Sequence, residues 1–354
     1  RRAWSRAPEP CANIWMLPVS AADSSATYRP SRRRRPLGLL ALLGVVSVVL
    51  AVSVGSVALS PMELWLTLTG QGSPLHQTLV WELRLPRALA AFGTGALLAL
   101  AGALMQVLLR NPLADPYVLG LSGGASVAAL CAMLAGLGAA LVSASAFAGA
   151  LVSILVVFGL AHGSGSWSPA RLLLTGVVMA SGWGAIITFL LAVSPVEELP
   201  GMLYWLMGDM AYARSPWPVL VIAALSALVL VPLGRTLNVL ARGGQQALAL
   251  GVAVRPLEWG LYLAASLATA TAVTTAGSVG FVGLMVPHML RLRLGADQRL
   301  ILPASLLAGG CLLTLADTLA RTLIAPQQLP VGVITALIGV PSFLYLLHRS
   351  HGKG

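Results

Sequence analysis

A series of long apolar runs, broken only by short polar stretches that carry arginine, limits this chain to one kind of structure before any motif is considered. The runs fall at 37–58, 86–109, 118–136, 139–161, 170–193, 217–234, 256–276, 280–291, 300–321 and 331–348. Most come close to the roughly 20 residues a helix needs to cross about 30 Å of hydrocarbon. Only 9% of the 354 residues are charged, against about 25% in an ordinary soluble domain. The chain therefore reads as an all-α polytopic membrane protein of about ten transmembrane helices. A membrane barrel would show short alternating segments instead, whereas a helix satisfies its own backbone polar groups inside lipid.

The formal net charge is +11, which in a soluble protein would suggest nucleic acid. Here the basic residues lie between the runs and report orientation, so no nucleic-acid partner is expected. Arg110, Arg171, Arg235, Arg242, Arg255, Arg291, Arg293, Arg299, Arg349 and Lys353 fall on the expected cytoplasmic side. An even number of crossings puts both termini there. Residues 1–36, ending in Arg32–Arg35, are expected to be a polar, disordered cytoplasmic segment, 37–349 the transmembrane domain and 350–354 a tail. The sequence begins with Arg, and Met16 offers an alternative start. No cleaved signal peptide is expected, because the first apolar run is span-length and lacks a small-residue cleavage site.

No catalytic constellation survives inspection. His76, His162, His288, His348 and His351 lie in separate segments and form no HxxxH or HExxH pair. Gly93-Thr94-Gly95 and Gly163-Ser164-Gly165 lack the third glycine of a dinucleotide turn and read as loop or packing features. Cys11, Cys131 and Cys311 fit no metal or disulfide spacing, and the latter two read as packing residues. The only lysine is Lys353, so the chain has no phosphate-cradling P-loop and any ATP-driven motor is another polypeptide. Asp115, Glu258, Asp297 and Asp317 are all expected near an interface. A proton-coupled carrier working alone would keep an ionisable group at mid-membrane, which leaves energy supplied from outside the membrane as the main reading.

Four stretches stand out. Arg235–Pro256 carries Arg235, Arg242 and Arg255 with no acid, and Arg242-Gly243-Gly244 divides it into two short helical patterns. Either this is an ordinary positive-inside loop or an elbow forming a socket for a soluble partner. Arg84, Arg87, Arg214 and Arg321 fall on the outer side, against the bias. Arg84 and Arg87 sit in an LRLPR turn that opens the second span. Local pairing, with Asp317 and Arg321 at i, i+4, competes with a ring of guanidinium groups for the carboxylates of a docking protein. The third and eighth spans are short and glycine-interrupted, as in transporters; Gly120 and Gly124 form a GxxxG packing face. Glu197–Pro216 reads as an amphipathic helix at the outer interface, with Tyr204, Trp205 and Tyr212 in an aromatic belt.

Six pieces, in order, then carry a resemblance: Arg84-Leu-Pro-Arg87, Gln106–Leu121, Arg235–Val252, Gly280–His288 with Arg291, Asp317–Arg321, and Pro330-Val331-Gly332 through Gly339-Val340-Pro341. The chain resembles the FecCD or BtuC-type permease subunits of ATP-binding-cassette importers for iron-siderophore complexes, haem and vitamin B12, over residues 37–349. The resemblance implies the type II importer fold and a homodimer in the bacterial inner membrane. It also implies two cytoplasmic ATPase subunits, which carry ATP and Mg while this chain binds no cofactor, and a periplasmic substrate-binding protein. The coupling elbow over 235–255 then includes Arg235, Leu237, Asn238, Arg242, Gly243, Ala247, Leu250, Gly251 and Val252. Arg84, Arg87 and Arg321 match the docking arginines. Asn111 and Leu113, with Gly163, Ser164, Gly165 and Ser166, match the cytoplasmic gate. Two positions depart from the family pattern: Gln298 stands where histidine is common and Gln328 where glutamate is. The breadth of the family favours a ferric siderophore, with cobalamin and haem as alternatives; Tyr204–Gly208 is similar to the B12 permeases. A lone proton-coupled carrier remains the remote alternative.

Overall fold

In the computed structural model the described residues are 31–55, 59–161, 169–213 and 215–351. Gly163–Ser166 and Arg214 lie outside them, as do Lys353 and most of the 1–36 segment. Helix α1 (Ser31–Ser53) is followed by the short α2 (Pro61–Leu68) and α3 (Pro74–Gln77), then by a π-helical stretch, Thr78–Arg84, that runs directly into α4 (Leu85–Leu108). A 3-10 turn, Pro116–Leu119, opens α5 (Leu121–Leu134), and α6 (Ala139–Ala161) and α7 (Pro169–Val193) come next. After α8 (Leu199–Met207) and a second 3-10 turn, Met210–Tyr212, α9 (Trp217–Leu230) bends by 72° into α10 (Gly234–Ala241). The order closes with α11 (Gly244–Ala249), α12 (Val254–Ala276), α13 (Val282–Leu294), α14 (Gln298–Thr322) and α15 (Val331–His351).

The centre of the bundle is α4, whose run of Ala, Gly and Leu is buried on nearly every side. It touches α14, α12, α13, α9 and α1. Small residues make this possible, since without a side chain two backbones can approach to van der Waals contact. A Cβ on Gly95 would coincide with the Gly309 carbonyl of α14, and one on Gly102 with the Gly283 carbonyl of α13. Gly93-Thr94-Gly95 is thus helix packing, as the residues suggested. Apolar side chains on α1, α6, α7 and α9 face outward, as expected where lipid is the solvent.

Among the described residues five helices are long and apolar enough to cross a membrane, and α9 with α10 makes a bent sixth. Helices α5 and α13 have 14 and 13 residues, too few to cross alone. Their missing lengths are irregular segments tucked against each other: Pro116 packs on Gly283, and the Val279 N–H donates to the Tyr117 hydroxyl at 3.2 Å. Non-helical backbone at this depth is tolerated only where protein covers it.

Five expectations need correction. Leu83 to Arg87 is not a turn but part of one continuous helical stretch from Pro74 to Leu108. Leu85 N–H bonds the Val80 carbonyl, i to i+5, and this wider turn accommodates Pro86, which has no N–H to give. The helix α1 starts at Ser31, so the Arg32–Arg35 cluster is helical. Gly120 does more than pack: buried in ordinary contact with α7, it adopts φ 71° as the cap between the 3-10 turn and α5, while Gly124 makes the close approach to α6. Trp205, on the inner face of α8, is buried rather than set in an outer belt. Cys311 is buried, but Cys131 is exposed on α5.

Candidate functional site

Functional groups collect at the two ends of α4. At its first end the helix carries Arg84 and Arg87 into contact with the last turn of α14, because antiparallel α4 and α14 pack along their length. Asp317, 1% exposed, receives Arg87 through Nε at 3.1 and 3.2 Å and Nη2 at 2.8 Å. Arg321, one helical turn further, places its Nε 3.1 Å from Asp317 Oδ2, which Arg87 Nε also reaches, confirming the i, i+4 pair. Arg321 also donates to the Ala51 carbonyl, and Arg84, buried, donates to those of Val52 and Ser53, so these arginines bind the end of α1. A recess of about 560 Å³ is lined by Arg84, Arg87, Arg321, Glu82, Met210 and Gln328, among others.

Three partners in this cluster escaped the sequence reading. Arg87 donates to the Gln328 side chain at 2.9 Å, so the departure from glutamate keeps a hydrogen bond and removes a charge. Asp209, in the break after α8, caps the 3-10 turn by accepting from the Ala211 N–H at 2.9 Å and lies 3.8 Å from Arg87. The Ala51–Ser53 carbonyls carry no sequence signal at all. Burial pushes the Asp209 carboxyl above the ordinary carboxylate range, against the lowering by the Ala211 N–H and by Arg87, while the Asp317 carboxylate adds to the rise. A raised folded-state pKa means stability that is present at low pH and lost as pH climbs through that pKa. Asp209→Asn, which keeps the capping oxygen, is therefore expected to raise the melting temperature relative to the parent more at pH 8 than at pH 4, as read by a thermal shift in detergent.

At the other end, α4 stops at Leu108 and the chain turns through Arg110 to Pro116. Asn111 is exposed, and its side-chain oxygen accepts from the Leu113 N–H at 2.9 Å, which fixes the turn and leaves Leu113 exposed. Between α4 and α13, Gln106 donates to the Leu284 carbonyl and Arg291 reaches that of Ala103. Two of the sequence-expected gate residues, Asn111 and Leu113, are thus placed on one turn; Gly163, Ser164, Gly165 and Ser166 lie outside the described residues.

Beside this turn, α10 and α11 form the elbow. Asn238 holds α10 to the start of α14 in both directions, donating to Asp297 at 2.8 Å and accepting from the Gln298 N–H at 2.7 Å. Gly243, at φ 136°, separates the two short helices. Leu237, Leu240 and Ala247 are buried against the bundle, whereas Arg235, Arg242, Leu248, Leu250 and Gly251 face out. Leu237 and Ala247 therefore support the elbow from inside, and Leu248, not singled out by the sequence, joins its outer face.

A ten-run helical bundle with an outward basic and apolar elbow at one end and an arginine-lined recess at the other defines the permease class of ATP-binding-cassette importers. The chain belongs to the FecCD transport family, whose model matches residues 42–349. It is 41% identical over 328 residues to the vitamin B12 import system permease protein BtuC of Vibrio cholerae, covering 92% of this chain and 97% of that one. Against the hemin transport system permease protein HmuU of Yersinia pestis it is 39% identical over 326 residues, covering 89% and 96%. Its fold matches a solved inward-facing metal-chelate-type ABC transporter with a TM-score of 0.79 and 31% identity, covering 89% of this chain and 99% of that one.

Proposed function

We propose that this chain is the membrane-spanning subunit of a cobalamin importer. The observation that carries the substrate is the 41% identity to a vitamin B12 permease over nearly the whole of both chains. Haem is the second reading, supported by the 39% identity to a hemin permease. A ferric siderophore, favoured by the breadth of the family, is the third reading.

In this reading two chains pair in the bacterial inner membrane with both termini in the cytoplasm. The helix α7 supports pairing, since only 6% of its apolar window is covered by the rest of the chain. Two ATPase subunits, carrying ATP and Mg, sit against Arg235, Arg242, Leu248 and Leu250. ATP-driven closure of those subunits shifts the elbow as a body and changes which end of the pathway is open. A substrate-binding protein docks its carboxylates over the recess. A guanidinium has five donors, and Arg87 spends three on Asp317 and Gln328, leaving two to offer.

Uptake of labelled cobalamin, haem and a ferric siderophore by cells expressing this chain with its ATPase and binding protein tests the reading. ATP-dependent cobalamin uptake is expected. Haem or siderophore uptake alone reassigns the cargo within the same machine, and uptake by the lone chain under a proton gradient would overturn the machine itself.

A further inference from the structure

We infer that Arg110 is the positioning residue through which movement of the elbow reaches the gate turn. The inference rests on reading α10 and α11 as the ATPase seat and Asn111–Leu113 as a gate.

Arg110 follows the last turn of α4 and has φ 47°. That is the left-handed conformation for which glycine is the usual residue just past a helix end. An arginine held there needs a reason in its side chain, and the side chain has one. The guanidinium lies over Gly244, the first residue of α11, so closely that a Cβ on Gly244 would stand 2.8 Å from its Nη2. It also pairs at 3.6 Å with Glu258, a carboxylate only 9% exposed near the start of α12.

The two halves of the elbow are thus fixed to different parts of the bundle. Asn238 ties α10 to α14, while α11 lies under Arg110. Gly243, at φ 136°, a conformation that favours glycine, forms the joint between them. A push on the outer face of α11 therefore moves Gly244 against the guanidinium while α10 stays with α14. Arg110 is bonded directly to Asn111, whose side chain holds Leu113 in the same rigid turn. Displacing Arg110 carries that turn with it. At 3.6 Å and with the Arg110 side chain 38% exposed, the pair is loose and screened by solvent on one side, so the Arg110–Glu258 contact matters for direction of movement more than for folding.

The test uses the full complex in liposomes, with uptake and ATP hydrolysis measured together. Arg110→Gln and Glu258→Gln are each expected to lower uptake per ATP hydrolysed roughly tenfold, the size of one coupling contact. Exchanging the pair, Arg110→Glu with Glu258→Arg, is expected to recover most of that loss, as interacting neighbours do. A residue that merely supports the fold would lower the yield of complex and leave the ratio alone. An unchanged ratio in both single variants overturns the inference, and Glu258→Gln decides it should Arg110→Gln fail to assemble. Cross-linking of Leu248→Cys to the ATPase separates the two levels. Its absence overturns the seat and the inference together, whereas its presence with an unchanged ratio overturns only Arg110.

Discussion

Asp317→Asn is expected to destabilise the chain by about 3–5 kcal/mol, the cost of removing one partner from a buried ion pair. Asp317 lies between Arg87 and Arg321, and its side chain is 1% exposed. The amide is isosteric, so nothing is lost in packing. What remains is two guanidinium groups facing a neutral group, with Asp209, 3.8 Å from Arg87, making up only part of the lost charge. Chemical or thermal unfolding in detergent would read the loss, and binding-protein capture by the assembled complex should fall with it. A melting temperature equal to the parent's would mean that the cluster does not hold this end of α4 and α14. Reversing Arg87 to Glu would bring a third carboxylate beside Asp317 and Asp209. Such a variant loses the cluster first, so it reports on docking poorly. Arg87→Lys, which keeps the charge and loses the planar fork, separates docking from stability better.

Gly102→Val is expected to cost more than about 4 kcal/mol, at the extreme of single substitutions. A Cβ at Gly102 would meet the Gly283 carbonyl, which is backbone and has no rotamer to change. Relief requires parting α4 from α13, and that would also break the Gln106–Leu284 and Arg291–Ala103 hydrogen bonds nearby. The expected result is loss of folded chain from detergent extracts. Gly159→Ala, on α6 with nothing within 4 Å of the added carbon, is the control and should stay within about 1 kcal/mol of the parent or gain slightly, because alanine is the better helix former. Equal yields of the two variants would refute the close α4–α13 crossing.

Much of this protein could be read before any coordinates. The length and apolarity of the runs required a helical membrane bundle, since no other structure satisfies the backbone in lipid. The fourth run, 139–161, is reproduced residue for residue as α6, because span length and hydropathy are local properties. The Asp317–Arg321 pair was legible for the same reason, being one turn apart on one helix. The elbow was legible from its arginines and its Gly243-Gly244 break.

Contacts between segments far apart in sequence were decided by tertiary structure alone. Arg87 and Asp317 are 230 positions apart, and no periodicity in either run tells which face of α4 meets which turn of α14. Burial of Trp205 depended on α8 folding back over the bundle, where its composition alone suited an interface. The continuous helix through Pro86 depended on a π turn that no propensity announces. Arg110 is the sharpest case: in sequence it is one more inside arginine before Asn-Pro-Leu. Only the folding of α11 beneath it, and of Glu258 beside it, places its guanidinium between the elbow and the Asn111–Leu113 turn. Local chemistry determined the kind of protein and its membrane-crossing segments; the packing of distant helices decided which charged groups meet.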